Sequence, residues 1–188
     1  MWVSTKKRGF TVVELLIVVV VIAILSTITV VSYQGARTKA QNTRVIATVK
    51  NYADVLNAYH LANNQYPNVG GDHVCLPANY PATAEFPLNS CEYDGGSYLN
   101  FVSPASSTNI VTELATVERS LPDASYGYTL KGFLGGSTER VRGILFTDEG
   151  IAGGGFIIYH LKGESKCPLG TPQTGVGTSA IECWYGLQ

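Results

Sequence analysis

Charge is scarce in this chain of 188 residues: Asp, Glu, Lys and Arg together make up only 14%, against about 25% in an ordinary soluble protein. The net charge of −1 leaves no global basic field of the kind that draws a protein to nucleic acid. No G-x-x-x-x-G-K-[ST] loop occurs, so P-loop nucleotide hydrolysis has no seat here. Neither G-x-S-x-G nor H-E-x-x-H is present. His60, His73 and His160 are scattered without ligand spacing and read as surface or packing residues. Asp148 and Glu149 precede Gly150, an arrangement open to calcium, but no D-x-D-x-D-G loop supports such a site. The reading is therefore of a non-enzyme with no metal and no cofactor.

Hydrophobic residues reach 45%, and they are unevenly spread. Leu15 to Ala36 is a block of 22 residues without a charge, dominated by Val, Ile and Leu. About 20 such residues suffice to cross a bilayer as a helix. The block is too long for the apolar core of a secretory signal, and no A-x-A site with turn formers follows it. Glu14 interrupts its beginning, and a simple anchor has no use for that acid. Lys6, Lys7 and Arg8 precede the block; without residues 1–9 the balance becomes 10 basic against 14 acidic residues, or −4. By the positive-inside rule the N-terminus lies in the cytoplasm and the bulk of the chain outside.

Helical character continues past the block. Residues 37–64 hold neither proline nor glycine. Val45, Val49, Tyr52, Leu56 and Tyr59 recur at spacings of 4, 3, 4 and 3, a single apolar stripe. Asn63–Asn64, then Pro67 and Gly70–Gly71, end the pattern. One helix from about residue 10 to 63 would be roughly 80 Å long at 1.5 Å per residue, with its amphipathic second half packed on the domain that follows.

Residues 64–106, rich in Asn, Pro, Gly and Tyr, read as a loop region. Ile110, Val111, Leu114, Val117 and Leu121 predict a short helix over about 109–121, capped by Ser107 or Thr108 and closed by Pro122. Strand candidates follow at Tyr126–Phe133, Arg140–Thr147 and Gly155–Leu161, with turns at Gly135–Gly136 and from Gly150 through Gly155. Ile181–Tyr185 reads as an added edge strand. All four cysteines, Cys75, Cys91, Cys167 and Cys183, lie after the apolar block, and none forms a CxxC. An even count in an exported domain points to disulfides. Three connectivities exist; 75–91 and 167–183 are favoured because they close short loops, each contributing roughly 3 kcal/mol in the chain-entropy picture.

Lys6-Lys7-Arg8-Gly9-Phe10-Thr11-Val12-Val13-Glu14-Leu15-Leu16-Ile17-Val18 resembles the N-terminus of type IV prepilins. In that family a basic leader ends in glycine, a prepilin peptidase cuts after it, and the new first residue is N-methylated. The resemblance implies a leader over 1–9, cleavage between Gly9 and Phe10, methylation of Phe10, and an assembly role for Glu14. In the family that acid pairs with the terminal amine of a neighbouring subunit, setting the stagger much as a buried polar residue sets coiled-coil register. The likeness is strong over residues 6 to about 35; beyond about 63 it extends only to layout. Many pilins carry a proline about 20 residues into the mature helix, where this chain has Val30 and Val31.

The resulting expectation is an α+β pilin-like fold. It comprises a leader over 1–9, a transmembrane or filament-core helix over 10–36, an amphipathic continuation over 37–63, and an extracytoplasmic head over 64–188 with an antiparallel sheet. The expected function is that of a type IV pilus subunit, held in the cytoplasmic membrane as a precursor and then polymerised into an extracellular filament. Its implied partners are copies of itself, the prepilin peptidase, the inner-membrane assembly machinery and, before assembly, the membrane. The rival within the same N-terminal logic is a pseudopilin of a type II secretion system; the rival of another class is a membrane-anchored extracytoplasmic enzyme or binding domain. Lys131, Arg140, Arg142, Lys162 and Lys166 form a candidate basic patch for DNA, although dispersed cations of this kind are more often a solvated face.

Overall fold

The computed structural model describes residues 9–71, 73–76, 80–84, 86–88, 90–93, 110–123, 130–131, 140–148, 154–173 and 180–187. The chain divides into two compact units, Met1–Lys39 and Ala40–Gln188. One helix, α1 (Val12–Asn63, 52 residues), supplies all the regular structure described in the first unit and opens the second.

Each end of α1 is closed by its own sequence. At the start, Thr11 Oγ1 accepts from the Glu14 amide at 3.3 Å, while Glu14 Oε2 accepts from the Thr11 amide and hydroxyl, both at 2.8 Å. This T-x-x-E pair is a reciprocal capping box, which satisfies two donors that the first helical turn leaves without partners. At the other end Asn64 takes φ 56°, a left-handed position that asparagine tolerates. Its amide still donates to the His60 carbonyl at 2.7 Å. Tyr66 then folds back, stacking on His60 at 4.5 Å and donating its hydroxyl to Asn57 Oδ1 at 2.8 Å.

In the second unit the predicted stripe is the buried face of the helix. Val49, Tyr52 and Leu56 have no exposed surface, and Val45 and Tyr59 are also buried. They share one core with a five-stranded antiparallel sheet in the order β1-β5-β6-β8-β7. Its strands are β1 (Val74–Leu76), β5 (Ile144–Thr147), β6 (Phe156–Lys162), β7 (Thr171–Pro172) and β8 (Ala180–Gly186). Register places Ile144, Phe146, Ile157, Tyr159, Leu161, Ile181 and Cys183 on one side of the sheet, all buried. Fully burying a Val, Leu, Ile or Phe side chain contributes about 1.5–3 kcal/mol. The expected α+β fold, a long helix packed on an antiparallel sheet, is the fold observed.

A second sheet was not foreseen. Its order is β2-β4-β3, from β2 (Glu92–Tyr93), β3 (Leu130–Lys131) and β4 (Arg140–Val141). The predicted strand Arg140–Thr147 is thus two strands in two sheets, broken at Arg142–Gly143. Gly143 has φ 90°, and a Cβ there would lie 1.9 Å from the Tyr80 hydroxyl. Glycine is the residue that both conditions permit. The Cys75–Cys91 disulfide runs from β1 in one sheet to the residue before β2 in the other, and Arg142 N–H donates to the Cys91 carbonyl at 2.7 Å. The second disulfide, Cys167–Cys183, ties the β6–β7 connection to β8.

Three further expectations need correction. Residues 64–106 are not wholly loop, because β1 and β2 lie there; strands of two or three residues show too little alternation to read. Ile181–Tyr185 is not an edge: β8 lies between β6 and β7, and the edge falls to β7, where Pro172 costs little. The helix predicted over 109–121 is α-helical only over 110–114 and tightens into turns over 115–117. Of the candidate strand 126–133, only β3 falls on described residues, and the cap candidates Ser107 and Thr108 and the turn glycines Gly135, Gly136, Gly150 and Gly153 lie outside them.

Candidate assembly surface

The first unit presents the side chains that the sequence marked for chemistry, Gly9, Phe10 and Glu14. Phe10 is 77% exposed, and every large apolar residue from Val12 to Val31 that the helix carries is also open, at 48–80%. Apolar surface on this scale marks a place that another partner or a membrane covers. By length and composition this is a helix able to cross a membrane. A Cβ added at Gly9 meets no atom within 4 Å. Packing within the described structure therefore gives no reason for glycine at that position. Ser26, Thr27 and Thr29 return their hydroxyls to backbone carbonyls of Ile22, Ala23 and Ser26 at 2.7–2.9 Å, which lets polar side chains sit in an apolar block.

Glu14 stands out in the sequence by its charge, whereas its partner Thr11 does not. The signal was legible: T-x-x-E ahead of an apolar run is a capping box. The cap holds the Glu14 carboxylate against the N-terminal turn of its own helix.

The second unit uses its other polar groups internally. Asp148, the calcium candidate, accepts from the amides of Val69, Gly70 and Gly71 at 3.0, 3.2 and 2.6 Å, and so pins the turn after α1 to the end of β5. Glu149 lies outside the described residues. No group of three or more His, Cys, Asp or Glu suited to a metal occurs among the described residues. Arg142 is buried and does not join a surface basic patch. Its guanidinium donates to the carbonyls of Ser90 at 2.7 Å and Pro87 at 3.1 Å and lies over the rings of Phe86 and Tyr80. Burial pushes Arg142 below its ordinary pKa. Lys162 and Lys166 are exposed, and nothing is described of the side chains of Lys131 and Arg140.

On the sheet side opposite the apolar one, His160 Nε2 lies 3.4 Å from Glu182 Oε2, and Trp184 Nε1–H donates to Glu182 Oε1. Burial pushes Glu182 up, but the hydrogen bond and charge of His160, the Trp184 donor and the charge of His73 together outweigh it, and the carboxyl sits below its ordinary value. His73 meets Trp184 edge-on at 5.9 Å.

Comparison with known proteins bears on the exposed helix. Residues 4–30 match the family described as the prokaryotic N-terminal methylation motif. The chain's N-terminal segment is prepilin-like. Distant homologues share the likeness. The chain is 29% identical over 86 residues to the type II secretion system core protein G of Pectobacterium carotovorum subsp. carotovorum, covering 41% of this chain and 55% of that one. The protein of the same name from Aeromonas hydrophila is 29% identical over 94 residues, 50% of this chain and 63% of its own. That from Escherichia coli K12 is 31% identical over 64 residues, 34% and 44%. The chain thus spans about half the length of the curated relatives it matches. No solved structure gives a significant match.

Proposed function

We propose that this prepilin-like protein is a polymerising subunit of the pseudopilin kind, working in a type II secretion apparatus rather than in a surface pilus. The observation that carries this reading is the methylation motif heading an exposed apolar segment of α1, in a chain whose relatives bear the name of a secretion core protein. The precursor waits in the cytoplasmic membrane with its basic leader inside. A prepilin peptidase cuts between Gly9 and Phe10, and Phe10 is methylated on its new amine. The inner-membrane assembly machinery then moves the helix from lipid into a bundle of sibling helices. Both surroundings are apolar, so the transfer costs little. Inside the bundle a lone carboxylate is costly, and Glu14 pairs with the terminal amine of the next subunit, which fixes the stagger. The protein acts by assembly, not by catalysis.

Three readouts test the scheme. Mature mass after replacement of Gly9 by Leu should be that of the uncut precursor; a normally trimmed product refutes the cleavage site. Glu14→Leu should insert and be cut yet cross-link poorly to other copies, and undiminished cross-linking removes its assembly role. Deleting the gene should abolish exoprotein release and leave surface fibres intact. Lost fibres with intact secretion would return the protein to the pilus class.

A further inference from the structure

The far end of the apolar block carries polar side chains on an open face. Thr29, Val30, Tyr33, Gln34 and Arg37 line a shallow groove of about 520 Å³ along one face of α1. Tyr33 is 70% exposed and Arg37 is exposed too. Positions 30, 33, 34 and 37 follow helical spacing, so Arg37 sits one turn beyond Tyr33. Side chains on a helix lean toward its N-terminus, which lays Arg37 over the Tyr33 turn. A guanidinium in this place offers a planar fork of donors that matches a phosphate.

Spacing locates the groove with respect to a bilayer. Glu14 and Arg37 are 23 residues apart in sequence, roughly 35 Å along a helix axis, against about 30 Å of hydrocarbon. Both charges therefore reach an interface at once, Glu14 on one side and Arg37 on the other. Tyrosine is favoured at that depth because its ring is apolar and its hydroxyl wet. The charge pattern is one-sided as well. After Glu14 the next acid is Asp54, and Arg37, Lys39, Arg44 and Lys50 all precede it. Arg44 is engaged by Asp123 at 2.8 Å in the second unit. Arg37 is the first cation that the far headgroup layer meets.

We propose that Tyr33, Gln34 and Arg37 form a headgroup site for an anionic glycerophospholipid in the outer leaflet of the cytoplasmic membrane, which the subunit occupies before assembly. The inference rests on the membrane-inserted precursor proposed above. Arg37 binds the phosphate, Gln34 and the Tyr33 hydroxyl face the glycerol region, and Val30 lies along the first acyl carbons. Entry into the filament then requires release of that lipid, so the site holds the unassembled subunit at a defined depth.

The test uses the full chain extracted from native membranes into neutral detergent. It is offered equimolar phosphatidylglycerol and phosphatidylcholine of the same chain length, and retained lipid is read by native mass spectrometry. The chain should retain phosphatidylglycerol preferentially, and Arg37→Gln should lower that preference on the order of five-fold, the effect of one interfacial cation. Arg37→Lys should lose part of the preference. Lys50→Gln removes the same charge roughly 20 Å further along the helix and should match the unaltered chain. The Lys6–Lys7–Arg8 cluster gives the same background in all variants. An unchanged preference in Arg37→Gln, or an equal loss in Lys50→Gln, overturns the site. Displacement of the lipid by soluble glycerol phosphate would make this a free-phosphate contact and overturn it as a membrane site. Release of the chain from membranes by alkaline carbonate, measured separately, would instead overturn the membrane-inserted reading on which the site depends.

Discussion

Asn42 donates from Nδ2 to the Lys162 carbonyl at 2.9 Å and accepts from the Lys162 amide at Oδ1, 3.2 Å away. One side chain of α1 thereby completes both backbone groups at the end of β6. Asn42 is buried and opens the buried face of the helix, ahead of Val45. It fixes where on the helix the sheet begins to cover it, a task that apolar packing alone would leave open to sliding.

Asn42→Ala should therefore cost about 1–3 kcal/mol, since a strand end is left without its partners. Asn42→Asp should recover only the bond from the Lys162 amide. Denaturant unfolding of the detergent-solubilised chain measures both, and hydrogen exchange at the Lys162 amide should rise in Asn42→Ala but stay slow in Asn42→Asp if this side chain is what holds the strand end.

The short helix and the segment after it run along α1 in the opposite direction. Arg44 meets Asp123, Tyr52 donates to the Pro122 carbonyl at 2.8 Å, and Tyr59 donates to Glu113 at 3.0 Å. Removing only the hydroxyl, in Tyr52→Phe, should cost about 0.5–1.5 kcal/mol. Tyr52→Ala should cost about 3–5 kcal/mol, as a buried aromatic is lost with its cavity unfilled. Equal losses in the two variants would place the whole contribution in the hydrogen bond and contradict the packing role.

Gly143→Ala should be among the most damaging conservative changes in the second unit. The residue has φ 90°, and its new methyl would collide with the Tyr80 hydroxyl. Pairing it with Tyr80→Phe should relieve the collision in part and leave the backbone strain, which costs on the order of 1–3 kcal/mol. Urea midpoints of the single and double variants separate the two contributions.

Acid should weaken the second unit through Glu182. Its folded pKa lies below the ordinary 4.5 because His160, Trp184 and His73 together outweigh the opposing effect of burial. A depressed carboxyl favours the folded state fully above its unfolded value, and that contribution is lost as pH falls through the folded one. Glu182→Gln should thus lower stability at neutral pH by about 1–3 kcal/mol, and its deficit against the unaltered chain should shrink as pH drops below 4.5. A deficit independent of pH would show the pair to be steric rather than ionic.

What could be read in advance follows from how local each signal is. The extent of α1 rests on an unbroken apolar block and a five-residue stripe, and the helix runs over Val12–Asn63 against the expected 10–63. The pair that caps it, Thr11 and Glu14, is equally local and was within reach of the sequence. Asp148, by contrast, could be given no role from the sequence, because its real partners, the amides of Val69, Gly70 and Gly71, lie more than 70 residues away. Arg142 looked like part of a surface patch because nothing nearby in sequence announces the carbonyls of Ser90 and Pro87 that bury it.

The exposed apolar helix, its cap and its buried stripe were all legible in the sequence, since each depends on residues within a turn or two of one another. Long-range pairing settles that Arg140–Thr147 divides between two sheets, that β8 is interior and that Asn42 meets the end of β6. Those outcomes depend on backbone groups brought together across many residues, and a strand of two or three residues carries no period from which its partner can be read.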